Sequence, residues 1–102
     1  MSHKGFRGEM DAGQIKIERE RARELRKSDW WDRRLADGVC YYCQGSVDRQ
    51  AATMDHIVPL SRGGKSNKGN VVVCCKACNS KKQDMTAVEW LLYLESIRHE
   101  LG

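Results

Sequence analysis

The tightest constraint on this chain is the placement of its cysteines. Cys40 and Cys43 form one CxxC, Cys75 and Cys78 form another, and 31 residues lie between the pairs. A CxxC knuckle aims two sulfurs at one point, and two knuckles complete the closed tetrahedral S₄ set that a structural zinc prefers. A redox-active CxxC would account for one pair and leave the second without a purpose. Cys74, the odd one of five, adjoins a ligand at the end of a predicted strand and reads as a small buried hydrophobe, not a fifth ligand. An odd count argues against a disulfide framework, and the opening MSHKGFRGEMDAGQ holds no apolar run of the length a secretory signal needs. A reducing, cytoplasmic setting is therefore expected. With four protein ligands in place, the zinc has no open position and is expected to build the fold, so any catalysis must come from other residues.

The staple answers a need. A chain of 102 residues has room for one small domain, and its 40% hydrophobic but only 7% aromatic content does not offset the surface-to-volume handicap of that size. An α+β organisation is expected around the zinc. Residues 1–38 read as an arm over 1–10 followed by helices at 12–27 and 29–36. Asp11 and Gln14 suggest a capping box for the first helix, Ser28 caps the second, and Gly38 fits its C′ position. In the first helix, Ile15, Ala22 and Leu25 trace a thin apolar stripe. Arg19, Arg23 and Arg26 interleave with Glu18, Glu20 and Glu24, the pattern of an exposed, salt-bridged helix.

Residues 39–86 form the expected core. Glycines 45, 63, 64 and 69 punctuate strands at 52–58 and 70–74, and a helix follows over 75–83. Residues 87–102 form a final amphipathic helix. Thr86 and Glu89 make its capping box, and Trp90, Leu91, Leu94, Ile97 and Leu101 make the stripe that should cover the core. Trp30, Trp31 and Trp90 read as packing anchors, and His3 and His99 as surface residues. No stretch approaches the ~18 apolar residues of a membrane span.

The formal charge of +4 is uneven: residues 1–38 carry 10 basic and 8 acidic side chains, 39–86 carry 7 and 3, and 87–102 carry 1 and 3. Four thiolates and one zinc would lower the middle segment by 2, leaving it mildly positive and the natural face for a polyanion. Arg62, Lys65 and Lys68 lie in the glycine-bearing connection, and Lys76, Lys81 and Lys82 follow. Together they read as phosphate contacts, with no feature that predicts base readout.

Between and beside the knuckles stand Asp55, His56, Asn70 and Asn79. The runs MDHIVPLSRGG and NKGNVVVCCKACNSKK, set against the two CxxC pairs, resemble the zinc-stapled branch of the HNH endonucleases over about residues 40 to 83. The resemblance implies a ββα-metal core, in which a β-hairpin and a helix grip a catalytic divalent ion, and cleavage of DNA to leave 3′-hydroxyl and 5′-phosphate ends. It places the family's first His at His56 and its central Asn at Asn70. The third position, often His, is Asn79 here.

The chemistry of phosphodiester hydrolysis fits those assignments, because it needs a base for water, a cation on the phosphate oxygens and donors that hold the strand. His56 is the expected general base, since an imidazole with a pKa near ~6.5 is substantially neutral in the cytosol. Successive strand residues point to opposite faces, so Asp55 and His56 cannot reach one point from a regular strand. The family answer is that Asp55 holds the ion while His56 approaches the phosphate from another side. Asn79 is the expected second ligand, with a second role as a helix first-turn cap, and two hard oxygen donors favour Mg²⁺ or Mn²⁺. Asn70 is expected to bridge backbone groups and hold the loop that presents His56.

The expected partner is therefore DNA, in a bacterial or phage-infected cell, with either weak specificity or help from a protein partner, since so small a chain leaves little surface for recognition. The rival is a non-catalytic zinc module that binds nucleic acid or protein, and a third reading is an RNA-cleaving enzyme.

Overall fold

A computed structural model of the chain describes residues 12–101, with side chains to residue 97. The arm at 1–10, the Asp11 cap, His3 and the side chains of His99 and Leu101 lie outside the described residues. The fold is small and mixed: helices α1 (Ala12–Arg26) and α2 (Asp29–Asp37), strand β1 (Thr53–His56), a 3-10 turn at Leu60–Arg62, strand β2 (Val71–Cys74), then helices α3 (Lys76–Lys82) and α4 (Ala87–Leu101). The strands pair antiparallel, with Thr53 opposite Cys74 and His56 opposite Val71. β1, β2 and α3 thus give the ββα order.

Local chemistry sets the element ends. Ser28 Oγ accepts from Trp31 N at 3.2 Å, and Gly38, at φ 66°, closes α2 with its N–H on Leu35 O, the left-handed turn that glycine adopts without strain. The Thr86 capping box forms in both directions: Glu89 Oε1 accepts from Thr86 N at 3.0 Å, and Thr86 Oγ1 accepts from Glu89 N at 3.2 Å. The β1–β2 connection doubles back tightly at buried Gly64. Its N–H bonds Pro59 O, and a Cβ there would lie 1.7 Å from Val58 O. No side chain fits.

Two apolar clusters flank the hairpin. Trp31, Val71 and Val73 are buried on the α2 side, with Met54, Leu25 and Leu35 against them. Cys40, Val47, Cys74, Cys78 and Trp90 are buried on the other side, with Leu94 and Met85 at the margin. Cys74 belongs to this second core and not to the thiol set.

Two expectations need correction. The α4 stripe is narrower than the sequence spacing implies: Trp90 is 1% exposed but Leu91 is 57% exposed, so α4 is held by Trp90 with Leu94 beside it and does not blanket the core. Glu18 is not on an exposed face: its side chain is fully buried, although it keeps an ion pair with the exposed Arg21 one turn on. No helix among the described residues is long and apolar enough to cross a membrane.

Candidate active site

The four sulfurs of Cys40, Cys43, Cys75 and Cys78 lie within 4.8 Å of one another. Tetrahedral Zn–S bonds of ~2.3 Å place sulfurs ~3.8 Å apart, and the Cys43–Cys75 pair is already at 4.0 Å. Backbone N–H groups point at the sulfurs, from Tyr42 to Cys40, Gly45 to Cys43 and Cys78 to Cys75, each at 3.4 Å. Burial works to raise the Cys40 thiol, yet the backbone N–H groups of Cys43, Cys75 and Tyr42, with the Cys43 thiol, outweigh it and bring it down to about 6. Burial and the neighbouring sulfurs push Cys78 up. Four thiols cannot all ionise side by side unaided, and a divalent cation removes that conflict. The cluster is a metal site whose donor chemistry and spacing fit structural zinc.

The staple ties the 40–43 knuckle to the start of α3, and α3 packs on β1, which brings Asn79 beside the strand that carries Asp55. Asp55 is buried on the face of β1 turned toward α3, where its Oδ2 accepts from Tyr42 Oη at 2.6 Å and lies 3.1 Å from Lys82 Nζ. Burial, followed by the carboxylate beside it, drives the Tyr42 phenol pKa upward, so the ring stays a donor. Both donors sit on one oxygen, and Oδ1 takes no hydrogen bond from the described residues.

Thr53 lies two residues earlier and therefore on the same face. Its hydroxyl donates to Cys74 O at 2.8 Å, so its oxygen is left to accept, and Asn79 Nδ2 donates to it at 3.0 Å. That pairing fixes the amide orientation and leaves Asn79 Oδ1 uncommitted. Asn79 does not cap α3. The N-cap is Cys75, whose sulfur accepts from Cys78 N.

His56 projects from the opposite face of β1, toward α1. Its Nε2 is 2.9 Å from Ser66 Oγ, and Ser66 in turn bonds Glu18. Burial pushes the imidazole below its ordinary value, the Asp55 charge opposes that shift, and Arg26 assists it. β1 stays regular through His56, so Asp55 and His56 are disposed around the strand with no bend. Asn70 spans the base of the loop: its Oδ1 accepts from Val58 N at 2.9 Å, and its Nδ2 donates to Val58 O and Lys65 O at 3.1 and 2.8 Å.

Of the cations expected to face phosphate, Lys65, Lys68 and Lys81 are exposed, and Lys68 Nζ lies 5.8 Å from the centre of the Trp30 ring. Arg62 is exposed but engaged by Glu89 through contacts of 3.2 and 3.3 Å. Lys82 is a correction. Its side chain is fully buried, with Nζ on Asp55 and on His56 O at 3.1 Å, so it organises the site from inside and presents no charge to a strand. Sequence reasoning also missed Tyr42, Thr53, Ser66 and Glu18, none of which carries a local signature; each has a partner that is distant in sequence, Asp55 for Tyr42, Cys74 and Asn79 for Thr53, and Glu18 and Ser66 for each other.

The comparisons with known proteins bear on the family. A stretch of CRISPR-associated endonuclease Cas9 from Actinomyces naeslundii is 35% identical over 53 residues, covering 51% of this chain and 5% of that protein. The chain thus corresponds to a small part of that relative. A family model described as HNH endonuclease matches residues 40–90, which hold both CxxC pairs, the hairpin and α3. With half of its residues under that model, the chain belongs to the HNH endonuclease family.

Proposed function

We propose that the protein hydrolyses DNA phosphodiester bonds, with His56 as general base and with Asp55 and Asn79 as ligands of one Mg²⁺ or Mn²⁺. The observation that carries this reading is the pair of uncommitted oxygens. Asp55 and Asn79 each have one polar atom tied by protein hydrogen bonds and one oxygen left over, on the same side of β1. Both are hard donors suited to a small divalent cation. Such an ion, when bound, supplies positive charge to the non-bridging and leaving oxygens of the phosphate.

The remaining work falls to the chain's own residues. Tyr42 and Lys82 hold the Asp55 carboxylate from behind, and Thr53 orients the Asn79 amide. His56, neutral at cytosolic pH because burial lowers its pKa, takes the proton of the attacking water. Asn70 ties the two ends of the loop, keeping the base at a fixed height above β1. Lys65, Lys68 and Lys81 offer exposed charge for phosphates along the strand.

Supercoiled plasmid incubated with the zinc-loaded protein and Mg²⁺ or Mn²⁺ should be nicked or linearised. The His56→Ala variant should cut more slowly by ~10² or more while binding DNA and zinc as before. Retardation of the plasmid on a gel without cleavage would replace this reading with that of a binding module, and a parallel RNA substrate tests the nucleic-acid class.

A further inference from the structure

Glu18 stands outside the residues matched by the family model, on a helix whose sequence reads as a solvated surface element, yet its side chain has no solvent exposure. Its Oε1 accepts from Ser66 N at 2.7 Å, and its Oε2 is 2.9 Å from Arg21 Nη1. Its backbone carbonyl accepts from Ser66 Oγ at 2.5 Å. Ser66 is itself 7% exposed, and its hydroxyl oxygen lies 2.9 Å from His56 Nε2.

Hydrogen counting along this chain has one solution. A carbonyl oxygen can only accept, so the single hydroxyl hydrogen of Ser66 goes to Glu18 O. Toward His56, Ser66 Oγ can then only accept, which requires the hydrogen of the neutral ring to sit on Nε2. The lone pair is left on Nδ1, which takes no hydrogen bond from the described residues.

Burying a carboxylate is costly even when it is paired, and an apolar residue of similar volume often serves stability as well or better. A charge kept at this position, two hydrogen bonds from the candidate base, fits a role in the site. We infer that Glu18 is a positioning residue of the nuclease, which through Ser66 fixes the orientation of the His56 ring and the nitrogen that carries its proton. The inference rests on His56 being the base. It makes α1 part of the catalytic apparatus although the helix lies before the family core.

The test has a readout independent of cleavage. Long-range ¹H–¹⁵N correlation spectra of the zinc-loaded full chain, recorded without Mg²⁺ or Mn²⁺ above the ordinary imidazole pKa, report which ring nitrogen is protonated. His56→Ala identifies the signal. The expected result is a single Nε2–H form in the wild type and a mixture of both forms in Ser66→Ala; Glu18→Ala keeps the backbone carbonyl that takes the Ser66 hydroxyl hydrogen but loses the carboxylate that holds Ser66 N, and should show a smaller admixture of the second form. Glu18→Gln keeps an oxygen for Ser66 N and should restore most of the wild-type population.

In the plasmid assay, Ser66→Ala should lower kcat on the order of 10-fold or more with KM for DNA little changed, since the base is misplaced and binding is intact. If His56→Ala is inactive while Ser66→Ala keeps both the wild-type ring signal and the wild-type kcat, the positioning role is overturned and the nuclease reading stands. If His56→Ala cuts at the wild-type rate, there is no base to position and both fall.

Discussion

Lys82→Met puts the interior of the site to a quantitative test. Met preserves most of the buried stem but removes the ammonium that lies 3.1 Å from Asp55 Oδ2 and 3.1 Å from His56 O. At an effective dielectric of ~20, two unit charges at that separation attract by about 5 kcal/mol. This attraction offsets the cost of burying both ions. Once the lysine is gone, the Asp55 carboxylate stays buried with Tyr42 as its remaining donor, and the His56 carbonyl loses its side-chain partner. Removing one member of a buried pair costs about 3–5 kcal/mol.

For a domain of this size that loss corresponds to a fall in Tm on the order of 15 °C. Urea unfolding at a fixed excess of zinc, followed by circular dichroism, measures it. Asp55→Asn/Lys82→Met should be less destabilised than the single losses predict, by about 2 kcal/mol or more, because the orphaned charge is gone. A Lys82→Met loss below ~1 kcal/mol, the size expected of an exposed pair, would refute the reasoning and return Lys82 to the surface, where its sequence context would place it.

Chelating the zinc, or replacing Cys75 by Ser, should abolish the cooperative transition, because metal binding supplies folding free energy in a domain this small; a melt at the wild-type temperature would contradict it. Cleavage should rise with pH through a pKa below the ordinary ~6.5. The sign follows from the base working only when neutral, with burial and a bound cation both favouring the neutral ring, and a flat rate from pH 5 to 8 would speak against His56. Gly64→Ala should destabilise by about 3 kcal/mol or more, since its methyl would meet the Val58 carbonyl, backbone that cannot swing aside; unfolding at wild-type urea concentrations would show that the loop has another conformation.

The parts of the molecule legible in the sequence were those whose chemistry is written in spacing. Two CxxC pairs state their own geometry, Gly38 and Ser28 state helix ends, and Asp55, His56 and Asn79 stand out against the thiols. What could not be read depends on direction. A lysine contributes the same charge to a composition whether it points outward like Lys81 or inward like Lys82. Glu18 sits among arginines at helical spacing, which describes an exposed face equally well, and its deciding partner is 48 residues away. The α4 stripe failed for a related reason. Apolar spacing shows that a helix has a greasy side, while the curvature of the surface beneath it decides how much of that side finds contact.

The four-residue pairing of β1 with β2 has a consequence for chemistry as well as for stability. Because adjacent side chains on a strand alternate, sliding one strand past the other by a single position would exchange the occupants of the two flanks. The carboxylate would face the N-terminal helices and the imidazole the thiol-bound helix. The backbone ladder from Thr53–Cys74 to His56–Val71 therefore acts as a sorting device, assigning His56, the proposed base, to one flank and Asp55, the proposed ligand, to the other. On the proposed mechanism, a mutation that loosened those few rungs would abolish cleavage with every reactive group still present.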